Sequence, residues 1–182
     1  MIGTCNTIKF LNQIPSRDNR PQMSKSRSTP TDTTPAGRLS EASLHLLLGY
    51  QLAQATIVTN AVFAVQVGTP FELRPVEYTV LALIHENPDV SATRLAKALA
   101  VTAPNIAAWI DRLEKRGLVQ RTPHATDRRA QHLRATREGA ALARKATESI
   151  LEGEQGALAN LSKGERMILV ELLHKLAVCR GA

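Results

Sequence analysis

The sequence predicts a mainly α-helical fold with one small β-hairpin, and three observations carry that reading. Thirty residues, from Ala42 to Phe71, pass without one Asp, Glu, Lys or Arg. Several helical patterns follow, opened by a capping residue or a proline and most of them closed by Pro or Gly. Late in the chain, two short strand-like segments, "LVQRT" and "AQHLRAT", flank the loop "PHATDRR". At 182 residues the chain is long enough for one domain of usual size with a full core.

Residues 1–37 read as a disordered tail, rich in Ser, Thr, Pro and charge and without apolar periodicity. Ile8, Phe10 and Leu11 are too few for the apolar core of a signal peptide, and Met23 offers an alternative start. The uncharged segment suits a long helix of about 25 residues. Ser40 is its expected cap, Glu41 an acid in its first turn, and Gly68 and Pro70 its end.

The next helix starts near Pro75, carries an apolar stripe of Val76, Val80, Leu83 and Ile84, and stops at Pro88. Ser91 caps a short helix in "SATRLAKALAV". Thr102 caps another in "TAPNIAAWIDRLEKRGL", with Pro104 in its first turn and Gly117 at its end. After the hairpin, Thr136 caps a helix reaching about Gly153, with Glu138 in its first turn. Ser162 caps the last helix, whose apolar side is Leu169, Leu172, Leu173, Leu176 and Val178.

The formal net charge is +7 and the sequence pI about 9.9, which points to a polyanionic partner. The excess is localised. Residues 1–37 are net +3, residues 38–90 net −3 and residues 138–182 neutral, while residues 91–137 carry ten basic and three acidic side chains. With only three Phe, two Tyr and one Trp, the chain has few platforms for stacking unpaired bases. Duplex DNA is the better match.

Other classes fare worse. The uncharged segment is long enough for a membrane span. It also holds Ser43, His45, Gln51, Gln54, Thr56, Thr59, Asn60 and Gln66, which are costly in lipid, and its flanks Glu41 and Glu72 are acidic. A helix buried on several sides explains the missing charge without a membrane. No Ser-His-Asp, paired-carboxylate, phosphate-loop or metal-ligand spacing is present, so no enzyme, cofactor or metal site is expected. Cys5 and Cys179 lie near opposite ends with neither metal nor disulfide spacing, in keeping with a reduced, cytoplasmic setting. A thiol-responsive DNA-binding protein, or one needing no ligand, is the alternative.

A short helix, a second capped helix and a basic hairpin, in that order, describe a winged helix-turn-helix. In the second helix Ile106, Ile110 and Leu113 recur at core spacing. Thr102, Asn105, Ala108 and Arg112 then face solvent or DNA, where Arg and Asn are suited to guanine, adenine or phosphate and Ala to a thymine methyl. The hairpin adds Arg121, Asp127, Arg128 and Arg129 for phosphate or minor-groove contact.

Residues 38–180 resemble the multiple-antibiotic-resistance-regulator (MarR) family. The motifs are "IDRLEKRGLVQR" at Ile110–Arg121, "DRR" at Asp127–Arg129 and "LRATREG" at Leu133–Gly139. The resemblance implies a transcription factor, usually a repressor, that is released from a pseudo-palindromic operator by a small ligand. It also implies an obligate homodimer built on the N- and C-terminal helices. The chain then divides into a tail (1–37), a dimerisation helix (38–72), a winged-helix DNA-binding domain (73–137) and C-terminal dimerisation helices (138–182).

In that pattern Asp127 steadies Arg129 at the wing tip, where an Arg gains from the potential of a narrow minor groove. The family commonly has Thr-Arg where this chain has Ala107 and Ala108, which shifts affinity from base readout toward phosphate contacts. Trp109 replaces a usual aliphatic residue, as core filler or as a wall of a ligand cavity. Many relatives respond to small aromatic acids. His45, Tyr50, Gln54, Trp109, His132 and Arg134 are the candidate contacts for such an effector. "SLHLLLGYQLAQA", with the tail, also resembles regulators of nicotinate breakdown, implying a hydroxynicotinate-type ligand.

Overall fold

The computed structural model describes residues 33–123 and 131–179. Most of the expected disordered tail and the hairpin tip, including Asp127, Arg128 and Arg129, lie outside the described residues. The chain falls into two compact units, Leu52–Ala159 and a second made from Met1–Gln51 with Asn160–Ala182.

Helix α1 spans Leu48–Phe71, later at both ends than the sequence predicts. Ser40 does not cap it. Ser40 instead forms an isolated bridge with Thr33, and a short 3-10 turn covers Ala42–Leu44. The cause is Glu41, which is only 6% exposed. Its carboxylate accepts the Tyr50 hydroxyl at 3.1 Å and pairs with Nδ1 of His45 at 3.2 Å, so it serves side chains rather than a helix start.

At the other end the helix runs through Gly68 and Pro70. Residues Ala64–Gly68 widen into a π turn, in which the Thr69 N–H reaches the Ala64 carbonyl. Pro70 has no N–H to donate and its ring crowds the preceding turn, and the wider turn makes room for it. The helix stops at Glu72, which adopts a left-handed conformation with φ +51°. By length and composition alone Leu48–Phe71 would suit a membrane span, but the burial on several sides expected from its lack of charge is not made within one chain: no residue of Leu48–Phe63 is fully buried.

Helix α2, Pro75–Glu86, opens with Arg74 as N-cap and Glu77 at its third position. Its buried face is Glu77, Val80, Leu81 and Ile84. Leu81 takes the place predicted for Val76, which is exposed, and Leu83 is half-buried. The face is rotated because Glu77 turns inward to an arginine of a later helix.

Helix α3, Ala92–Leu99, is capped by the Ser91 hydroxyl, which accepts the Arg94 N–H at 3.3 Å. Helix α4, Ala103–Lys115, has Thr102 at its N-cap in extended conformation, but the Thr102 hydroxyl makes no capping bond. Gly117 ends α4 at φ +69°, a conformation that glycine adopts without steric cost. Strands β1, Val119–Pro123, and β2, Gln131–Ala135, pair antiparallel, with Val119 opposite Ala135 and Arg121 opposite Leu133. Val90 adds one further bridge to Leu133.

Helix α5 runs from Arg137 past Gly153 to Ala157. The Thr136 hydroxyl accepts the Gly139 N–H at 3.0 Å and donates to the Gly117 carbonyl at 2.7 Å, tying the start of α5 to the end of α4. Gly139 is required by close approach: a Cβ there would lie 1.9 Å from the Leu118 carbonyl oxygen. Leu81, Ile84, Ile106, Ile110, Leu113 and Leu133 centre the core, with Val67, Ala143 and Ala146 among the smaller side chains packed around them. In the second unit, helix α6, Lys163–Val178, opens with a reciprocal cap between Ser162 and Glu165.

Candidate nucleic-acid interface

Helices α3 and α4 meet at a tight turn made by Ala100, left-handed at φ +52°, whose neighbour Val101 donates its N–H to the Ala96 carbonyl at 3.0 Å. Leu95 and Ala96 of α3 share the core with Ile106, Ile110 and Leu113 of α4. This pins the inner face of α4 and leaves Thr102, Asn105, Ala107 and Ala108 on its exposed side. The surface is small and nearly neutral, and a helix of this kind fits a major groove closely.

The basic window is less free than its composition implies. Arg112 donates Nε to Glu77 at 2.7 Å. Arg121 pairs with Asp111 and, at 3.0 Å, with Glu114. Arg134 grips Asp89 with two parallel bonds of 2.6 and 2.5 Å. Arg116 donates to the carbonyls of Phe71 and Glu72, each at 2.8 Å, where a cation complements the C-terminal end of α1. Arg112 and Arg121, expected on the DNA side, thus have carboxylate partners within the fold. Arg94, Lys97, Lys115 and Arg137 make no ion pair among the described residues, and all four are exposed.

Glu77 makes the inward turn of Arg112 intelligible. Burial alone would raise its pKa. The backbone N–H of Arg74 and the Arg112 guanidinium outweigh that and hold the carboxyl below its ordinary value. The ionised pair lines an open cleft together with Glu72, Arg74, Lys115 and Arg116.

Four of the six candidate effector contacts form two pairs, each organised by an acidic residue. His45 and Tyr50 meet at Glu41, and Gln51 donates to the His45 carbonyl at 2.8 Å. His132 and Arg134 meet at Asp89, with His132 Nδ1 donating to the Asp89 carbonyl at 2.5 Å. Gln54 is half-buried, and Trp109 is half-buried against the core. Sequence reasoning missed Glu77, Asp89 and Arg116, because their partners lie 35 to 45 residues away along the chain. Cys179 is exposed, its Sγ 3.9 Å from the Lys175 carbonyl. Among the described residues, no group of three or more His, Cys, Asp or Glu is placed to hold a metal.

Known proteins agree with this arrangement. Residues 73–130 match the MarR family. A Thauera aromatica protein described as a transcriptional regulatory protein for the hcr operon is 31% identical over 154 residues, covering 85% of this chain and 92% of that protein. The transcriptional repressor CouR, solved bound to a 23-mer DNA duplex, is 32% identical with a TM-score of 0.70, over 76% of this chain and 98% of CouR. A regulator structure from Pseudomonas aeruginosa is 30% identical with a TM-score of 0.64, over 73% and 98% of the two chains. All three are described as regulators or repressors of transcription. With its exposed α4, its paired hairpin and these relatives, the chain belongs to the MarR family of winged-helix transcriptional regulators.

Proposed function

We propose that the protein is a cytoplasmic, homodimeric repressor that binds a pseudo-palindromic operator and leaves it when a small aromatic acid binds. The observation that carries this reading is α4. Its apolar side is buried by Ile106, Ile110 and Leu113, and its other side presents Thr102, Asn105 and Ala108 beside a β-hairpin. That CouR was solved on a DNA duplex supports the same use of this fold.

Each subunit places α4 in the major groove. Asn105 is the side chain best suited to a base edge, and Arg94 and Lys97 are exposed for phosphates. Arg112 acts through Glu77, fixing α4 on α2. Asp127, Arg128 and Arg129 supply the wing contact to the flanking minor groove. Leu169, Leu172, Leu173 and Leu176 of α6 are exposed in the single chain, and a second copy covers them. The effector, of which a hydroxynicotinate is one example, favours a dimer whose reading heads no longer match the operator. His45, Tyr50, Gln54 and Trp109 remain its candidate contacts.

Selection of bound duplexes from a random pool tests the reading. The expected product has two half-sites about one helical turn apart, bound with steep salt dependence. Arg129→Ala should weaken that complex roughly tenfold, the size of one charge-assisted contact. Unchanged affinity at physiological salt removes Arg129 from the interface. A thermal-shift screen of aromatic acids on the wild-type protein then identifies the effector by the stability it adds.

A further inference from the structure

The turn between α2 and α3 holds the wing more tightly than its length requires. Asp89 follows Pro88 and is left-handed, with φ +65°, a conformation that non-glycine residues seldom occupy and that Asp tolerates better than most. In that conformation all its polar groups meet β2. Its N–H donates to the Leu133 carbonyl at 3.1 Å. Its carbonyl accepts from His132 Nδ1 at 2.5 Å, and its carboxylate takes Nε and Nη2 of Arg134 at 2.6 and 2.5 Å. The neighbouring Val90 carbonyl accepts the Leu133 N–H at 3.0 Å.

Two consecutive turn residues thus engage three consecutive residues of β2. Side chains alternate along a strand, so His132 and Arg134 share one face and Leu133 takes the other. Leu133 is buried in the core while its two neighbours hold Asp89. The strand is fixed on both faces. A two-stranded hairpin is marginal by itself, so its angle on the domain must be set from outside.

The ion pair is poorly suited to a stabilising role. The side chains of Asp89 and Arg134 are 39% and 52% exposed, and exposed pairs contribute little to stability. A planar two-bond fork instead fixes direction. In keeping with a persistent pair, Arg134 holds the Asp89 carboxyl below its ordinary value.

We propose that Asp89 is a positioning residue for DNA binding: its fork on Arg134, with His132, sets the angle at which the wing meets the minor groove. The inference rests on the DNA-binding reading above. It gives Arg134 and His132 a structural partner in the wing rather than a place on an effector. It also makes wing contact depend on a residue outside the hairpin.

The test uses the full chain and a duplex selected from a random pool by the wild-type protein. Asp89→Asn keeps size and removes the ionic fork. Arg134→Lys keeps charge and removes the second bond. Asp89→Gly keeps the left-handed backbone and deletes the carboxylate. Hydroxyl-radical protection reads the flanking minor groove, and dimethyl sulfate protection reads guanines in the major groove.

All three variants should lose the flanking protection and bind roughly tenfold more weakly, while major-groove protection and melting temperature stay near wild type. Flanking protection that survives in Arg134→Lys and Asp89→Gly overturns the proposal. So does joint loss of both protections with a lowered melting temperature, which marks a merely structural residue. A wild-type protein that selects no duplex overturns the parent reading and this inference with it, and the variants are not needed to see that.

Discussion

Helices α4 and α6 look alike in sequence and end up in opposite situations. Each is opened by a Thr or Ser at the N-cap and is rich in aliphatic residues, on one side of α4 and around more of the circumference of α6. In α4, Ile106, Ile110 and Leu113 are each 1% exposed. In α6, Leu172 is 55% exposed and Leu176 43%. The apolar side of α4 finds its partner within one chain, which leaves the other side exposed for the proposed contact with a duplex. The aliphatic side chains of α6 stay exposed among the described residues, where the proposed dimer would seat a second copy. Aliphatic residues serve the core in α4, and in the proposed dimer they would serve association in α6.

That contrast breaks most sharply at Leu172. Leu172→Asp places a charge where the second copy would pack, so the dimer should dissociate, and operator affinity should fall by at least about 100-fold because a lone half-site contact remains. Sedimentation and duplex binding check both effects, and the single chain should stay helical. Ile110→Ala has the opposite profile. It opens the core of one chain and should cost about 2–5 kcal/mol in denaturant unfolding, with little dependence on protein concentration.

Gly139→Ala comes next, because the added Cβ meets backbone at Leu118 rather than a flexible side chain. A loss of about 1–3 kcal/mol is expected, read in the same unfolding experiment. The smallest effect is the acid response of Glu77. Its folded pKa lies below the ordinary value, so the unfolded chain binds the proton more tightly. Its contribution to stability is complete above the ordinary carboxylate range and is lost as pH falls through the lowered value. Glu77→Gln should flatten the fall of melting temperature between about pH 6 and pH 3, and lower the melting temperature at neutral pH.

Much of the fold was legible because its signals are local. Ser91, Thr136 and Ser162 cap the helices they were expected to cap, and both strands fall within a residue or so of the predicted segments. The start of α1 was misread because the fate of Glu41 depends on Tyr50, nine residues on. Its end was misread because a π turn absorbs Pro70, which composition alone does not reveal. The interface was legible in part. The exposed side of α4 follows from helical spacing. The capture of Arg112, Arg116 and Arg134 does not, since each reaches a partner on another element. Counting charges therefore overstated how many arginines are free for phosphate.

The central claim is a dimer in which each α4 reads one half-site. The most direct measurement is the mass of the complex with a selected duplex, combined with the spacing of its protected half-sites. The account predicts two chains per duplex and two protected sites about one helical turn apart. One chain per duplex, or protection without paired half-sites, would contradict it.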